Sequence, residues 1–272
     1  NLQVDTNIVS SDVYIICVPT PICDSGPKIK PDISSVLKAV NSIMPFLKNN
    51  DTLIIESTCP IGTTEYIHEL IKTKCKHLSE IHLAYCPERV IPGNLLYELK
   101  NNDRIVGGIN LKSTKVVSDF YKTFISGKVF KTDSKTAEMC KLAENSFRDT
   151  NIALANELSL ICDKENIDPA KLIELANKHP RVNILKPGPG VGGHCIAIDP
   201  LFLVSQYPNE TMLIKTSRKV NQNKTEWILN KIKKYVDENF PDKKQKVIIG
   251  CLGIAYKQDV DDTRESPSLY IV

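Results

Sequence analysis

The first half of the chain alternates short apolar runs with segments of helical periodicity, and this alternation constrains the fold more than any other feature. The apolar runs have the length and composition of buried strands and lie at 13–18, 52–57, 81–86, 104–109 and 128–132. Helical segments, such as 33–48, separate them. Strands that alternate with helices form a parallel sheet that is covered on both faces. We therefore predict an α/β fold with part of a doubly wound parallel sheet over residues 1–132.

The expected beginning of such a sheet is not found. A dinucleotide-binding sheet normally starts with a strand, a Gly-x-Gly-x-x-Gly turn and a helix whose N-terminus holds a pyrophosphate. None of the predicted strands is followed by such a turn. In the usual strand order, the part present corresponds to the fourth strand onward. We expect that the sequence lacks the first βαβ unit, which would leave the strand at 13–18 as an uncovered edge.

The rest of the chain is predicted to be helical up to residue 240. One helix begins at Asp133 or Ser134 and runs to about residue 164, and Asp168 with Pro169 begins the next. A Gly/Pro-rich loop at 186–195 and a long amphipathic helix at 211–239 follow. The apolar run that starts at Lys246 predicts a new buried strand. We therefore interpret 133–240 as a central helical domain and 241–272 as the start of a second Rossmann-like domain.

Composition excludes several classes of function. The net charge is only +3, and Lys and Arg are interspersed with Asp and Glu, which does not indicate a nucleic-acid partner. No apolar run approaches the roughly 18 to 20 residues of a membrane span, and the N-terminus lacks the pattern of a signal peptide. The nine cysteines include no Cys-x-x-Cys pair, so we expect no metal site. These features favour a cytoplasmic protein with reduced thiols and no membrane partner.

The segment GPGVGGHCIAIDP at 188–200 is the most informative one for chemistry. Its glycines allow close approach of backbone to a ligand, and such a loop presents the thiol of Cys195. Asp199 follows four residues later, so one helical turn would place both residues on the same side. His194 and the loop amides could favour a thiolate. The alternative is a tight turn with a buried, structural cysteine.

Three polar residues, Lys141, Asn145 and Arg148, have the spacing of one helix face. Such a face could supply a lysine for proton transfer, an amide donor and a cation for phosphate. The alternative is a solvated stripe, because Glu138 and Glu144 lie nearby.

Loops that directly follow predicted strands form a third group. In parallel α/β sheets, ligands bind outside the carboxyl ends of the strands, which favours Thr20, Thr58, Glu88 and Arg89. Ser, Thr and Pro are also common turn residues, so an ordinary turn explains these loops equally well. The charged segment at 256–268 is either a self-neutralising surface loop or, because it follows a predicted strand, a ligand-binding one.

In order and spacing, the segments DVYIICVPTP, AYCPERVIPG, HPRVNILKPGPGVGGHCIAIDP and DDTRESPS resemble the UDP-glucose/GDP-mannose dehydrogenase family. The resemblance covers nearly the whole chain. It implies oxidation of the C6 alcohol of a nucleotide sugar to a carboxylate with two NAD⁺ per turnover. UDP-glucose members typically have Pro-Glu-Phe-Leu in place of Pro-Glu-Arg-Val, and Ser in place of His194. These differences favour UDP-N-acetyl-D-mannosamine as the substrate.

The resemblance also implies roles for individual residues. Cys195 would be the nucleophile, Lys141 and Asn145 would stabilise the oxyanion and move the proton, and Asp199 would order the water together with Thr58. Implied cofactor contacts are Thr20, Thr58 and Arg264. Implied substrate contacts are Arg89, Val90, Lys141, Asn145, Arg148, His179, Arg181, Gly192, Tyr256 and Lys257.

The implied partners are NAD, a UDP-sugar and a second copy of the chain, which would dimerise through the central helices. Because the glycine fingerprint is missing, we expect the chain alone to bind NAD weakly. Three alternatives stay open. The substrate could be UDP-glucose, UDP-N-acetylglucosamine or GDP-mannose. The enzyme could be a short β-hydroxyacid dehydrogenase, which shares a Lys-x-x-x-Asn helix and needs no nucleophile. The chain could also be a non-catalytic, dimerising fragment.

Overall fold

The computed structural model describes residues 3–23, 30–90, 93–241, 246–257 and 259–272. Contacts divide the chain into two compact units, Asn1–Ala143 and Glu144–Val272. The strands are β1 (Val13–Ile16), β2 (Ile22–Cys23), β3 (Lys30–Pro31), β4 (Thr52–Ile55), β5 (His82–Tyr85), β6 (Arg104–Gly108) and β7 (Val129–Asp133). The helices are α1 (Ser34–Ile43), α2 (Thr63–Lys74), α3 (Leu95–Asn101), α4 (Leu111–Tyr121), α5 (Ser134–Glu165), α6 (Pro169–Ala176), α7 (Asp199–Gln206), α8 (Met212–Asn239) and α9 (Pro267–Ile271).

The first unit contains a five-stranded sheet in the order β1-β4-β5-β6-β7. All five predicted strands form, each within two residues of the expected ends. The pairs β1–β4, β4–β5 and β6–β7 are parallel, with Val13 opposite Thr52 and Thr52 opposite His82. The mostly parallel α/β sheet is therefore confirmed. Among the described strands, β1 pairs on one side only, which agrees with its expected place at an edge.

One strand direction was predicted wrongly. β6 runs antiparallel to β5, with Ala84 opposite Gly108 and Tyr85 opposite Gly107. A parallel connection needs a crossover helix that packs on the sheet. Among its described residues, the connection from β5 to β6 has one helix, α3, which has seven residues and buries none of them. β6 therefore returns beside β5 in the opposite direction, without a crossover helix on either face of the sheet.

The sheet is covered on both faces, which explains why β4 is apolar at successive positions. Leu53 and Ile55 point into a core that includes Val36 and Val40 of α1 and Ile67 of α2. On the opposite face, residues of β4, β5 and β6 pack against α4 in a second core cluster (Ile54, Ala84, Val106, Val117 and Tyr121). Side chains alternate between the faces of a strand, so a strand buried on both faces shows an uninterrupted apolar run.

The predicted helix at 33–48 forms in part. α1 ends at Ile43, and a single 3₁₀ turn, Met44–Phe46, continues it with Pro45 inside the turn. Proline lacks the N–H that would continue an α-helix. Part of the predicted Pro-rich loop after β1, residues 24–29, lies outside the described residues; on either side of it, β2 and β3 pair antiparallel.

The second unit is helical, as expected. Asp168 caps α6 by accepting a hydrogen bond from the Ala170 N–H, and Pro169 occupies the first helical turn. α8 spans the range predicted for the long amphipathic helix. Within the part of the chain that the structure describes, no helix combines the length and the apolar character that crossing a bilayer requires.

The strand predicted from Lys246 onward does not form. The described residues 246–257 have no regular secondary structure, and Ile248 and Leu252 are 86% and 99% exposed. A strand needs a neighbour with which to exchange backbone hydrogen bonds, and no described strand pairs with this segment. The apolar run has the composition of a strand, but composition alone does not provide the neighbouring strand with which it would pair.

Candidate active site

The glycine-rich loop before Cys195 packs directly against the segment that precedes α9. A Cβ atom on Gly193, whose φ is +81°, would lie 2.8 Å from the ring of Tyr256. A Cβ atom on Gly192 would lie 2.5 Å from the carbonyl oxygen of Glu265. The Gly193 N–H donates to the Arg264 carbonyl. Glycine is therefore required here both by the left-handed conformation and by the close approach of the two backbones.

Two helices of the second unit fix the start of the same loop. On α5, the Asn156 side-chain oxygen accepts the Gly188 N–H at 2.9 Å, and Asn151 accepts the Leu185 N–H at 3.0 Å. On α8, Thr225 donates its hydroxyl to the Pro189 carbonyl at 2.6 Å. Asn156 is itself held by Asn221, through a 2.9 Å side-chain hydrogen bond. The loop is irregular in backbone but fixed by polar side chains.

Cys195 lies at the start of the turn that leads into α7, and it is exposed. The Asp199 N–H donates to the Cys195 carbonyl at 2.9 Å, so one helical turn separates the two residues, as their spacing predicted. The alternative of a buried, structural cysteine at this position is wrong. Other cysteines are buried instead: burial raises the pKa of the Cys86 thiol to about 12 and also raises that of Cys59. An exposed thiol on a fixed turn is the arrangement that a nucleophile needs.

Asn145 of α5 and Asp199 of α7 meet in the interior of the second unit. The Asn145 side-chain nitrogen donates to Asp199 Oδ2 at 2.6 Å, and both residues are buried. A hydrogen bond to a carboxylate is stronger and more directional than one between neutral groups. The pair therefore fixes the beginning of α7, and with it the turn that carries Cys195, to α5.

Arg264 and Asp262 form an ion pair in the segment that packs on the glycine loop. The Arg264 guanidinium donates three hydrogen bonds to the Asp262 carboxylate, at 2.8, 3.0 and 2.5 Å. These bonds hold the pKa of Asp262 at about 2, and the charge of His194 contributes to this shift. The same bonds raise the pKa of Arg264, and Cys195 acts in the same direction. The ion pair thus lies within electrostatic range of His194 and Cys195.

In the first unit, polar side chains gather at the carboxyl ends of β4 and β5. Arg104 Nη1 lies 3.2 Å from Glu88 Oε2 and 3.8 Å from Glu56 Oε1. Glu56 also accepts the hydroxyl of Tyr121 at 2.5 Å. The Lys141 ammonium donates to the Glu88 carbonyl oxygen at 2.8 Å. Sequence reasoning missed Arg104 and Glu56, because Arg104 reaches this edge only through the antiparallel direction of β6.

The remaining predicted residues are placed as follows. Thr20 and Thr58 are half-buried in the loops after β1 and β4, at the edge expected for a ligand. Arg89 and Val90 follow Glu88 in the loop after β5 and are also half-buried. Three residues are exposed in their own parts of the chain: Arg148 on α5, His179 after α6 and Lys257 before α9. Arg181 is exposed beside His179, and its N–H donates to His179 Nδ1 at 3.3 Å.

One alternative was that polar residues near the start of α5 form a solvent-exposed stripe. This alternative is wrong for Glu138. This residue is fully buried, and its carboxylate accepts hydrogen bonds from the Gly62 N–H and from the N–H and hydroxyl of Thr64. It therefore satisfies free N–H groups at the N-terminus of α2. Burial raises the pKa of Glu138, while these hydrogen bonds lower it. The contact fixes the loop after β4, which contains Thr58.

Comparison with known proteins matches two regions of the chain to two domains of one family. Residues 1–125 match the NAD binding domain of the UDP-glucose/GDP-mannose dehydrogenase family, and residues 135–223 match the central domain of that family. The chain is 48% identical over 272 residues to UDP-N-acetyl-D-mannosamine dehydrogenase of Methanocaldococcus jannaschii. It is 44% identical over 280 residues to NDP-N-acetyl-D-galactosaminuronic acid dehydrogenase of Ralstonia nicotianae. Both alignments include the whole chain but only 61% and 64% of those relatives.

The fold agrees with a solved structure of similar sequence. UDP-D-ManNAc dehydrogenase of Pyrococcus horikoshii superimposes with a TM-score of 0.90 at 40% identity. The match covers 96% of this chain and 62% of that protein. The chain thus spans less than two thirds of the length of each of these three relatives.

Proposed function

The chain belongs to the UDP-glucose/GDP-mannose dehydrogenase family, and on this premise we propose that it carries out the NAD-dependent oxidation of UDP-N-acetyl-D-mannosamine at C6. The product is UDP-N-acetyl-D-mannosaminuronate. The observation that carries the proposal is the exposed Cys195, held one helical turn before Asp199, which is itself bonded to Asn145. Relatives of 48% identity are named UDP-N-acetyl-D-mannosamine dehydrogenase, which supports the proposed substrate.

The reaction removes four electrons, as two hydrides, and each hydride reduces one NAD⁺. Loss of the first hydride and of the hydroxyl proton converts the alcohol into an aldehyde. The Cys195 sulfur then bonds to the aldehyde carbon and gives a thiohemiacetal. Loss of the second hydride and of a proton converts this adduct into a thioester. Water adds to the thioester carbon, the carbon–sulfur bond breaks, and the acid and the free thiol are released. The covalent adduct retains the aldehyde between the two oxidations.

Asn145, Asp199 and Lys141 supply the polar groups for these steps. Asp199 is a buried acceptor next to the turn that carries the nucleophile, where it can orient the water that attacks the thioester. Asn145 fixes that carboxylate and offers its remaining amide N–H toward the oxygen that gains charge. Lys141 lies one turn earlier on α5, and in the proposed reaction its ammonium stabilises the C6 oxygen as that oxygen loses its proton to water.

The residues present suit the nicotinamide end of the cofactor. Thr20 and Thr58 are half-buried at the carboxyl edge of β1 and β4, so their hydroxyls can meet a ligand there. Arg264, whose guanidinium is hydrogen-bonded to Asp262, lies within electrostatic range of Cys195. No described strand leads into a glycine-rich turn and a helix. Gly188, Gly190 and Gly193 have the spacing of a phosphate-binding fingerprint, but they lie in the loop before Cys195 and follow no strand. We therefore propose weak NAD binding by this chain alone.

The residues proposed to contact the sugar nucleotide are mainly cationic side chains, together with backbone groups and one tyrosine. Arg89, Arg148, Arg181 and Lys257 have the charge that a diphosphate requires, and all but the half-buried Arg89 are exposed; His179 lies beside Arg181. The Val90 backbone, Gly192 and Tyr256 form the remaining proposed contacts. Tyr256 already packs against the glycine loop, and so it can couple substrate binding to the position of Cys195.

We also propose that the protein forms a homodimer through α5. Phe147, Leu154 and Ile161 are 65%, 48% and 54% exposed and recur every seventh residue on this helix. A stripe of this spacing suits the equivalent stripe of a second helix, because a heptad repeat keeps the apolar side chains on one face. A second copy of the chain provides such a helix.

A second candidate substrate is favoured by the relative whose name specifies an N-acetyl-D-galactosaminuronic acid. N-acetylmannosamine and N-acetylgalactosamine have the same functional groups and differ only in stereochemistry. The test is to measure kcat/KM for UDP-N-acetylmannosamine, UDP-N-acetylgalactosamine, UDP-N-acetylglucosamine, UDP-glucose and GDP-mannose. The proposal expects the mannosamine nucleotide to give the highest value. A higher kcat/KM for another nucleotide sugar would change the proposed substrate but leave the proposed C6 oxidation in place. If no nucleotide sugar is oxidised, both the proposed substrate and the proposed reaction are rejected.

A further inference from the structure

Arg104 is a buried cation for which the proposed reaction has no direct use. The residue is 3% exposed, and its guanidinium lies between the carboxylates of Glu56 and Glu88 and 5.3 Å from the ring centre of Tyr121. Burial alone would lower the pKa of Arg104, but Glu88 and Glu56 raise it, so the side chain stays charged. A buried guanidinium is costly unless it is paired. Arg104 and the two carboxylates therefore hold each other in one arrangement.

Glu88 connects this arrangement to Lys141. One oxygen of its carboxylate lies 3.2 Å from Arg104 Nη1. The other oxygen accepts the N–H groups of Arg89 and Val90 at 2.5 and 2.8 Å, which fixes the loop backbone after β5. The carbonyl of the same residue accepts the Lys141 ammonium at 2.8 Å. A shift of the Glu88 carboxylate would therefore move the loop and the acceptor of Lys141 together.

The opposite side of Arg104 is fixed in the same way. The Tyr121 hydroxyl donates to Glu56 Oε1 at 2.5 Å, and Tyr121 is almost completely buried in α4. The Glu88 N–H also lies 3.5 Å from the Glu56 carbonyl. Two carboxylates thus share the charge of one guanidinium, that of Arg104, at the end of the sheet. Removing the Arg104 charge would leave two neighbouring carboxylates in excess, and like charges at short range repel.

We propose that Arg104 is a positioning residue for Lys141: by holding Glu88 against Glu56, it fixes the Glu88 carbonyl that holds the Lys141 ammonium. The inference rests on the proposed function, in which the Lys141 ammonium stabilises the developing charge on the C6 oxygen. Arg104 touches neither the proposed substrate nor the proposed cofactor contacts. Its effect on kcat therefore passes through Glu88 and Lys141, and an effect on KM would pass through the Arg89 and Val90 backbone that Glu88 also holds.

The first test needs neither substrate nor cofactor. The acetylation rate of Lys141 by trace acetic anhydride is followed by mass spectrometry in the wild type, Arg104→Gln, Arg104→Lys and the control Lys131→Gln. Lys131 is exposed on the neighbouring strand β7, and so the control removes a charge without touching Glu88. The expected result is a several-fold change in the acetylation rate of Lys141 in Arg104→Gln, a smaller change in Arg104→Lys, which keeps the charge, and no change in the control. An unchanged rate in a folded Arg104→Gln variant would overturn the proposal.

The second test is a kinetic double-mutant cycle with Lys141→Met. Misplacement of a catalytic group by about 1 Å can cost on the order of 100-fold in rate, so Arg104→Gln should lower kcat by about 10- to 100-fold and change KM less. In the Lys141→Met background, the same substitution should have little further effect, because its route to the reaction is gone. Equal effects in both backgrounds would mean a general structural role and would overturn the proposal.

The two tests separate failure of the proposal from failure of the proposed function. If the wild-type protein oxidises no nucleotide sugar, the proposed function is rejected, and the acetylation rates alone decide whether Arg104 positions Lys141. If circular dichroism shows that Arg104→Gln does not fold, Arg104→Lys serves in both tests. It keeps the charge but lacks the planar donors of arginine, and we expect an intermediate effect.

Discussion

Asn145 of α5 and Asp199 of α7 are joined by a buried hydrogen bond of 2.6 Å, although 54 residues separate them along the chain. Asp199 also donates its N–H to the carbonyl of Cys195. The proposed nucleophile is thus connected, through one turn and one side-chain contact, to the helix that carries the other proposed catalytic groups. The position of Cys195 therefore depends on α5 as much as on its own loop.

Asn145→Ala should lower both stability and activity. The substitution removes a hydrogen bond that the buried Asp199 carboxylate accepts, and a hydrogen bond to a charged group contributes about 1.5–3 kcal/mol. Urea denaturation should show this decrease, and kcat should fall by about 10²- to 10³-fold if the amide stabilises the oxyanion. The control is Asn223→Ala at an exposed position of α8. Equal stability and equal kcat in the two variants would argue against a role for the Asn145–Asp199 contact.

Gly193→Ala should displace the loop that presents Cys195. The left-handed φ of Gly193 costs an alanine roughly 1–2 kcal/mol, and the added Cβ would also overlap the ring of Tyr256. We expect a lower free energy of unfolding and an altered rate of Cys195 alkylation by iodoacetamide. Gly188→Ala is the matched control in the same loop, since its Cβ would come no closer than 3.8 Å to its surroundings. If both variants behave like the wild type, the close packing of this loop on Tyr256 is not required.

The carboxyl group of Asp262 should titrate with a midpoint near pH 2, below its ordinary value of 3.8. Because the pKa is lowered in the folded state, the Asp262–Arg264 ion pair stabilises the protein above about pH 4. This contribution is lost as the pH falls through the folded-state pKa. Carbon-13 NMR of the aspartate carboxyl groups measures the midpoint directly. Arg264→Gln should return it towards 3.8, and a wild-type midpoint near 3.8 would show that the ion pair does not form in solution.

Leu154→Glu should convert the proposed dimer into a monomer. Leu154 lies in the centre of the exposed stripe on α5, and a charge at the centre of an apolar interface must be desolvated without a partner. Sedimentation velocity measures the change in mass. Lys72→Glu, at an exposed position of α2, introduces the same residue outside the stripe. A wild-type chain that sediments as a monomer would reject the dimer, and a dimer that survives Leu154→Glu would place the interface elsewhere.

The sequence predicted the features that depend on local patterns. The five strands of the sheet, the cap at Asp168, the ends of α5 and α8 and the turn from Cys195 to Asp199 all follow from periodicity, capping residues and spacing. The resemblance to a dehydrogenase family, which rests on short motifs in a fixed order, was confirmed by the comparisons.

Features that depend on pairing between distant segments were not predictable in this way. The direction of β6 is set by a connection that fails to cross the sheet, and it alone brings Arg104 to Glu88. Glu138 has the spacing of a surface residue, but the N-terminus of α2 packs on it and buries it. The apolar run after Lys246 has the composition of a strand, but strand formation requires a neighbour that composition does not provide.

The most direct test of the central claim is the ratio of NADH formed to uronic acid formed when the protein is incubated with UDP-N-acetyl-D-mannosamine and NAD⁺, together with its dependence on Cys195. The account predicts two NADH per molecule of acid in the wild type and no acid from Cys195→Ala. One NADH per sugar with the aldehyde as the product, or a Cys195→Ala variant that still makes acid with two NADH, would contradict a covalent four-electron oxidation. The first of these results would favour the class of dehydrogenases that transfer one hydride and use no nucleophile.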